Sequence, residues 1–258
     1  MKQLHLEPIE NNYKIGQRPP NNEPNVLEDS LFVDDGEIIG FYLKKLPSEI
    51  KNLVQIADIE LNSERVPKSI MRRSSGMMEK ENSVEQYSCI IGSVPPKPHM
   101  RRSYATRSSV HLSKTARTFV KAMTIAGVKS LKIIKDIAPK IYENHKEAMF
   151  DKVPEKWRFA EMFTSSISNY NISADIHQDT GNVKNCVNVI ITKRLNAKGG
   201  NLYLPDYDLT IDSANNSMLV YPAWRNKHGV TEIVKTHDNG YRNSLIWYCY
   251  DGFANEKR

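Results

Sequence analysis

His177-Gln-Asp179-Thr-Gly-Asn182 is followed, about fifty residues on, by His228-Gly-Val230, and fourteen residues past that histidine by Arg242-Asn-Ser244. Two imidazoles and one carboxylate form a facial ligand set that leaves three adjacent metal positions open and suits a non-haem Fe(II) centre. A bidentate cosubstrate can take two of those positions and dioxygen the third. Arg242 adds a planar, fork-shaped cation and Ser244 a hydroxyl, partners suited to the far carboxylate of 2-oxoglutarate. A lone His-x-Asp is a weak signal. The ordered set of four residues carries the reading.

His177 and Asp179 are two residues apart, so on a strand both side chains leave the same face. His228 opens the run 229–234, and an Asp238-Asn-Gly240 turn leads into the strand bearing Arg242. Adjacent antiparallel strands are therefore expected to bring His228 and Arg242 into one barrel mouth. His237 is the rival third ligand, but it lies in the turn 235–240, and Asp238 beside it is a turn residue. His5, His99, His111 and His145 have no carboxylate or histidine at ligand spacing. Arg242 shares its strand with Leu245, Ile246, Trp247 and Tyr248, and an arginine in apolar surroundings needs an anionic partner. No serine or cysteine nucleophile pairs with a histidine and no phosphate-binding loop is present, so hydrolase and kinase readings lack support.

Outward from this region, short β-rich runs fill the chain from Arg158 onward, at 159–170, 186–193, 201–204, 208–211, 218–221, 229–234 and 242–250, separated by turn signals. Before them, Glu37 to Leu43 reads as a strand. A helix is expected from Pro47, with Ile50, Leu53, Val54 and Ala57 at helical spacing. Ser113 is expected to cap a helix striped by Ala116, Phe119, Val120 and Met123. Residues 131–149 read as one or two further helices, with Pro139 marking a break or a first turn. Residues 62–110 read as a long, mostly irregular stretch around the apolar run Tyr87 to Ile91. Helices followed by about eight strands give an α+β class whose β part is a sandwich or jelly roll. The expected divisions are a loosely ordered polar arm at 1–30, a helical and basic-loop extension at 31–155 and a β core at 156–258, together one structural unit.

The chain of 258 residues, 40% hydrophobic and 26% charged, is long enough for a substantial core. It has no apolar run near the ~20 residues of a membrane helix, and its N-terminus lacks the apolar segment of a secretory signal. Three widely spaced cysteines argue for a reducing compartment, so an intracellular, membrane-free monomer is expected, cytoplasmic or, in a eukaryote, nuclear. The net charge of +6 is uneven: residues 65–117 hold eleven Lys or Arg against three acids. Arg72, Arg73, Arg101 and Arg102 form its dense part, a footprint suited to a phosphate backbone or to a solvated surface.

The stretch from Phe163 to Tyr250 resembles the Fe(II)/2-oxoglutarate oxygenase superfamily and, within it, the TET/JBP branch that oxidises the 5-methyl group of pyrimidines in nucleic acid. The residues that carry the resemblance are His177-Gln-Asp179-Thr-Gly-Asn182, Gly199-Gly200-Asn-Leu-Tyr-Leu-Pro205, His228-Gly-Val230 and Arg242-Asn-Ser244. Arg65-Val-Pro-Lys-Ser, Met71-Arg-Arg and Ile91-Gly-Ser-Val-Pro-Pro are more loosely similar to phage and microbial members. The resemblance implies a double-stranded β-helix that uses Fe(II), 2-oxoglutarate and dioxygen on a methylated pyrimidine in DNA. It implies His177, Asp179 and His228 as iron ligands and Arg242 with Ser244 as the cosubstrate clamp. Asn182 would contact the target base, and Tyr248 would stack on a base flipped out of the duplex. Where the branch tends to carry a base-bonding histidine, this chain has Tyr250, which leaves 5-methylcytosine and thymine both open. Two other readings keep a place: the same chemistry on a protein side chain or small molecule, and a non-catalytic nucleic-acid-binding module.

Overall fold

Side chains alternate along a strand, so each central strand of this protein presents one apolar face and one face of mixed polarity. The computed structural model describes residues 1–70, 86–96 and 103–253. Arg72, Arg73, Arg101 and Arg102 lie outside the described residues. The strands of the first half are β1 (Lys2–His5), β2 (Ser30–Asp34), β3 (Glu37–Leu43), β4 (Ser69–Ile70), β5 (Tyr87–Val94) and β6 (Thr106–Arg107). Those of the second half are β7 (Ser165–Tyr170), β8 (Ala174–His177), β9 (Asn188–Leu195), β10 (Ala197–Gly199), β11 (Leu202–Leu204), β12 (Leu209–Ile211), β13 (Ser217–Tyr221), β14 (His228–Val230), β15 (Ile233–Lys235) and β16 (Tyr241–Tyr248). The helices are α1 (Ser48–Asn62), α2 (Ser109–Leu112), α3 (Arg117–Ile137) and α4 (Pro139–Lys152).

Among the described residues ten strands form the larger sheet, in the order β1-β2-β3-β13-β9-β16-β7-β5-β4, with β6 added beside β5. Four form the smaller sheet, in the order β12-β11-β14-β8, and β10 pairs with β15. The two main sheets face each other as a double-stranded β-helix, or jelly roll. The N-terminal part of the chain supplies β1 to β6, so the larger sheet is built from both halves of the sequence.

The outward face of the larger sheet carries Phe41, Ile91, Val189, Ile191, Met218, Val220, Leu245 and Trp247, all buried in one cluster with residues of α1, α3 and α4. Each such aliphatic or aromatic side chain contributes on the order of 1.5–3 kcal/mol through burial. The helix α3 comes close enough for Trp247 Nε1 to donate to the Met123 carbonyl at 3.0 Å. That approach needs Gly127, where a Cβ would lie 2.8 Å from Trp247 Nε1. A second cluster, with Tyr42, Leu202, Leu204, Ile211, Leu219 and Tyr221, fills the space between the sheets.

Two local expectations differ from the structure. Ser113 does not cap α3; it follows α2, whose cap is Ser108, accepting from the His111 amide at 3.1 Å. The chain is still extended at Ser113, and α3 begins at Arg117 without a side-chain cap. Residues 117–137 form one continuous helix, and Pro139 opens the next at its first turn, where its missing N–H is not needed. Of the polar arm, residues 2–5 form β1 of the larger sheet and residues 9–26 run along the smaller one: the Gly16 amide donates to the Ile176 carbonyl at 2.8 Å and the Ile176 amide to the Gln17 carbonyl at 2.7 Å. This covers the free edge of β8, the strand that ends at His177.

Candidate active site

His177 and His228 are directly opposite each other in the β8–β14 pair, with ring centroids 4.3 Å apart. Each ring is oriented by the backbone carbonyl two residues earlier: His177 Nδ1 lies 2.7 Å from the Asp175 oxygen and His228 Nδ1 lies 3.1 Å from the Asn226 oxygen. With Nδ1 donating to those carbonyls, the Nε2 lone pairs face Asp179, at 3.7 Å for His177 and 4.0 Å for His228. One ligand atom from each of the three residues lies within 4.8 Å of the others. Burial, followed by the neighbouring His177, holds His228 well below the usual imidazole range, so it is the neutral form that a metal requires. Asp179 Oδ2 accepts from Asn188 Nδ2 at 3.2 Å and lies 3.5 Å from Asn182 Nδ2. Such outer hydrogen bonds fix the angle at which a carboxylate meets a cation.

The inner face of the larger sheet is tiered. Arg242 is paired with Arg194 across β16 and β9. Next comes a polar row at one level of four neighbouring strands, Ser217, Thr192, Ser244 and Asn169. Two residues further along the strands, roughly 7 Å, lies an apolar row of Leu219, Ile190, Ile246, Ile167 and Ile90. Asn188, which holds Asp179, is paired with Tyr221 beyond it. These rows and the His-Asp-His group line one cavity of about 330 Å³, within the usual range for small-molecule sites.

Arg242 is only 3% exposed, and among the described residues its Nε has no hydrogen-bond partner and its side chain reaches just the Ser213 hydroxyl, at 3.3 Å. Burial, helped by Arg194, pushes its pKa down to about 10, so it is still a cation at neutral pH. Arg194 itself is paired with Asp212 at 3.3 Å. An unpaired buried guanidinium, then hydroxyls, then a hydrocarbon band, then a metal-ligand group match in order the carboxylate, methylenes and oxo-acid of a five-carbon 2-oxo diacid.

A family model for the oxygenase domain of the 2OGFeDO superfamily, Tet_JBP, matches residues 93–251. The chain belongs to that family. As a Tet_JBP oxygenase it uses Fe(II) and 2-oxoglutarate. Among solved structures, NgTET1 in complex with 5mC DNA superposes with a TM-score of 0.61 and 14% identity, over 95% of this chain and 84% of that one. OsALKBH1 gives 0.42 and 14%, over 82% and 96%. A putative 2OG-Fe(II) oxygenase family protein from Caulobacter crescentus gives 0.47 and 10%, over 82% and 77%. No curated protein matches the chain.

His228 and Arg242 share the cavity by a route other than the expected one. They are not on adjacent strands: β14 belongs to the smaller sheet and β16 to the larger, so the residues face each other across the sandwich. Ser244, Tyr248 and Tyr250 line the same cavity. Asn182 does too, but its amide nitrogen donates to Asn188 Oδ1 at 3.0 Å, beside Asp179, in place of pointing freely at a base. Tyr250 is bridged to Asn182, and its ring lies across Gly181, where a Cβ would sit 3.0 Å from it. His237 is exposed in its turn. Asn188, Thr192, Ser213 and Ser217 were not singled out from the sequence. The period-two alternation along β9 and β13 places Asn188, Thr192 and Ser217 on the cavity face.

A second group, His145, Cys186 and Cys249, also lies within ligand distance. Both ring nitrogens of His145 are already used: Nδ1 accepts from the Val187 amide at 3.1 Å and Nε2 lies 2.7 Å from the Met162 carbonyl. Burial pushes its pKa down to about 4. This imidazole is a satisfied core group tying α4 to the loop before β9.

Proposed function

We propose that this Tet_JBP oxygenase hydroxylates the 5-methyl group of a pyrimidine in DNA, 5-methylcytosine ahead of thymine. His177, Asp179 and His228 hold the iron, through Nε2 of each imidazole and the carboxylate. Arg242 and Ser244 hold the far carboxylate of 2-oxoglutarate. Together the bound metal and cosubstrate supply the oxidising power: dioxygen, 2-oxoglutarate and the methyl group become a hydroxymethyl group, succinate and carbon dioxide. The isoleucine row keeps water from that space. Asn182 and Asn188 keep Asp179 in register. Tyr248 and Tyr250 receive the extruded base, one offering a π-face and the other a phenol in the position where the family tends to have histidine. Arg72, Arg73, Arg101 and Arg102 would grip the backbone, which makes DNA binding fall steeply with salt.

The observation that carries the oxygenase reading is the unpaired buried Arg242 in one cavity with the His-Asp-His group. Two tyrosines lining that same cavity, together with a shared fold in which NgTET1 holds 5mC DNA, support the choice of a base in DNA.

The test is nucleoside mass spectrometry after incubation with Fe(II), 2-oxoglutarate and duplex DNA containing thymine and 5-methylcytosine, with a His177→Ala, Asp179→Ala double variant as blank. A hydroxymethyl pyrimidine absent from the blank is expected. Succinate without an oxidised base would refute DNA as substrate and turn the search to protein side chains or small molecules. Neither product would leave a nucleic-acid-binding module without catalysis.

A further inference from the structure

Tyr42 lies on β3, in the part of the chain that precedes the family match, and is opposite Leu219 of β13 at the apolar row of the cavity. It is 1% exposed, yet its hydroxyl reaches no partner at hydrogen-bonding geometry. Arg242 Nε is in the same position, so two orphaned donors line one cavity. A buried polar group left unpaired costs stability, and in native proteins nearly all such groups have a partner. The groups that act on the Tyr42 hydroxyl are the Ser217 hydroxyl and the Ala214 amide, both placed to donate towards its oxygen, and the charges of Asp212 and Arg194. The Ala214 amide and Arg194 only donate, and Asp212 is engaged by Arg194, which leaves the Ser217 hydroxyl as the one neutral acceptor among them. The fixed charges at this end, Arg194 and Arg242 against Asp212, leave one positive charge, which one carboxylate would neutralise.

We infer that the Tyr42 hydroxyl is a further donor to the far carboxylate of 2-oxoglutarate, so that the N-terminal strand β3 completes the cosubstrate pocket. This rests on the placement of that carboxylate at Arg242 and Ser244. Burial and then Asp212 push the phenol's pKa up, which keeps the proton on Tyr42 and makes it a donor at any physiological pH. The residue therefore adds selectivity for a 2-oxo acid with a second carboxylate over one without.

The test is calorimetric titration of wild-type protein and Tyr42→Phe, both loaded with Mn(II), using 2-oxoglutarate and pyruvate. Pyruvate has the same oxo-acid end and no far carboxylate. Loss of one hydrogen bond to a charged group weakens 2-oxoglutarate about tenfold. Pyruvate and Mn(II) affinities should not change. The ligand-free melting temperature should stay level, because the hydroxyl makes no hydrogen bond of full geometry in the ligand-free protein. Binding of 2-oxoglutarate within twofold of wild type, an equal loss for pyruvate, or a lower ligand-free melting temperature would each overturn the inference. Wild-type protein that failed to prefer 2-oxoglutarate over pyruvate would overturn it together with the assignment of Arg242, whereas failure of Tyr42→Phe alone would leave that assignment standing.

Discussion

Replacing Arg242 by methionine separates binding from folding. In the ligand-free protein the buried guanidinium is a burden: its pKa falls from 12.5 to about 10, which corresponds to about 3 kcal/mol against the charged form. It has one weak contact to offset that, the 3.3 Å bond with Ser213, worth about 1 kcal/mol. Methionine has a similar length and no charge, and it suits an irregular apolar gap. Arg242→Met should therefore leave the ligand-free protein about 2 kcal/mol more stable, which for a chain of this size raises the melting temperature by roughly 4–8 °C. The same change removes the counter-charge for a carboxylate and should weaken 2-oxoglutarate at least ~100-fold. Thermal denaturation with and without the diacid, in Mn(II)-loaded protein, reads both effects. A variant several degrees less stable without ligand, or one that still gains stability from 2-oxoglutarate, would refute the reasoning.

Two other expectations concern the supports of the site and the core. Asn188→Ala removes the 3.2 Å hydrogen bond to Asp179, and metal affinity should drop about 10- to 100-fold with little change in fold, measured by electron paramagnetic resonance of Mn(II); unchanged affinity would sink the role. His145 has a folded-state pKa of about 4, below its ordinary 6.5, so as pH falls the unfolded chain takes up the proton first. The stability it lends is complete above pH 6.5 and disappears between 6.5 and about 4, to at most about 3 kcal/mol. Urea midpoints of wild type and His145→Gln at pH 7.5 and 5 should show a shallower pH dependence in the variant; equal slopes would count against this account.

Local and periodic features are legible in the order of amino acids alone. His177-x-Asp179 and the His228 that follows needed only residue chemistry and spacing to stand out, and the structure brings the three together. Alternation along β16 put Arg242, Ser244 and Tyr248 on one face, and helical spacing marked α1 and α3. Which strands pair and which sheets face each other emerges only once the chain is packed. His228 and Arg242 meet across the sandwich because β14 and β16 belong to opposite sheets, although fourteen residues of sequence suggested neighbouring strands. Tyr42 reaches the cavity because β3 pairs with β13, well over a hundred residues away, and the polar arm reaches β8 by backbone bonds that leave no mark on composition. Strand pairing is satisfied by peptide groups common to every residue. A short strand therefore shows in its side chains which face is buried, while its partner is chosen by the packing of the whole core.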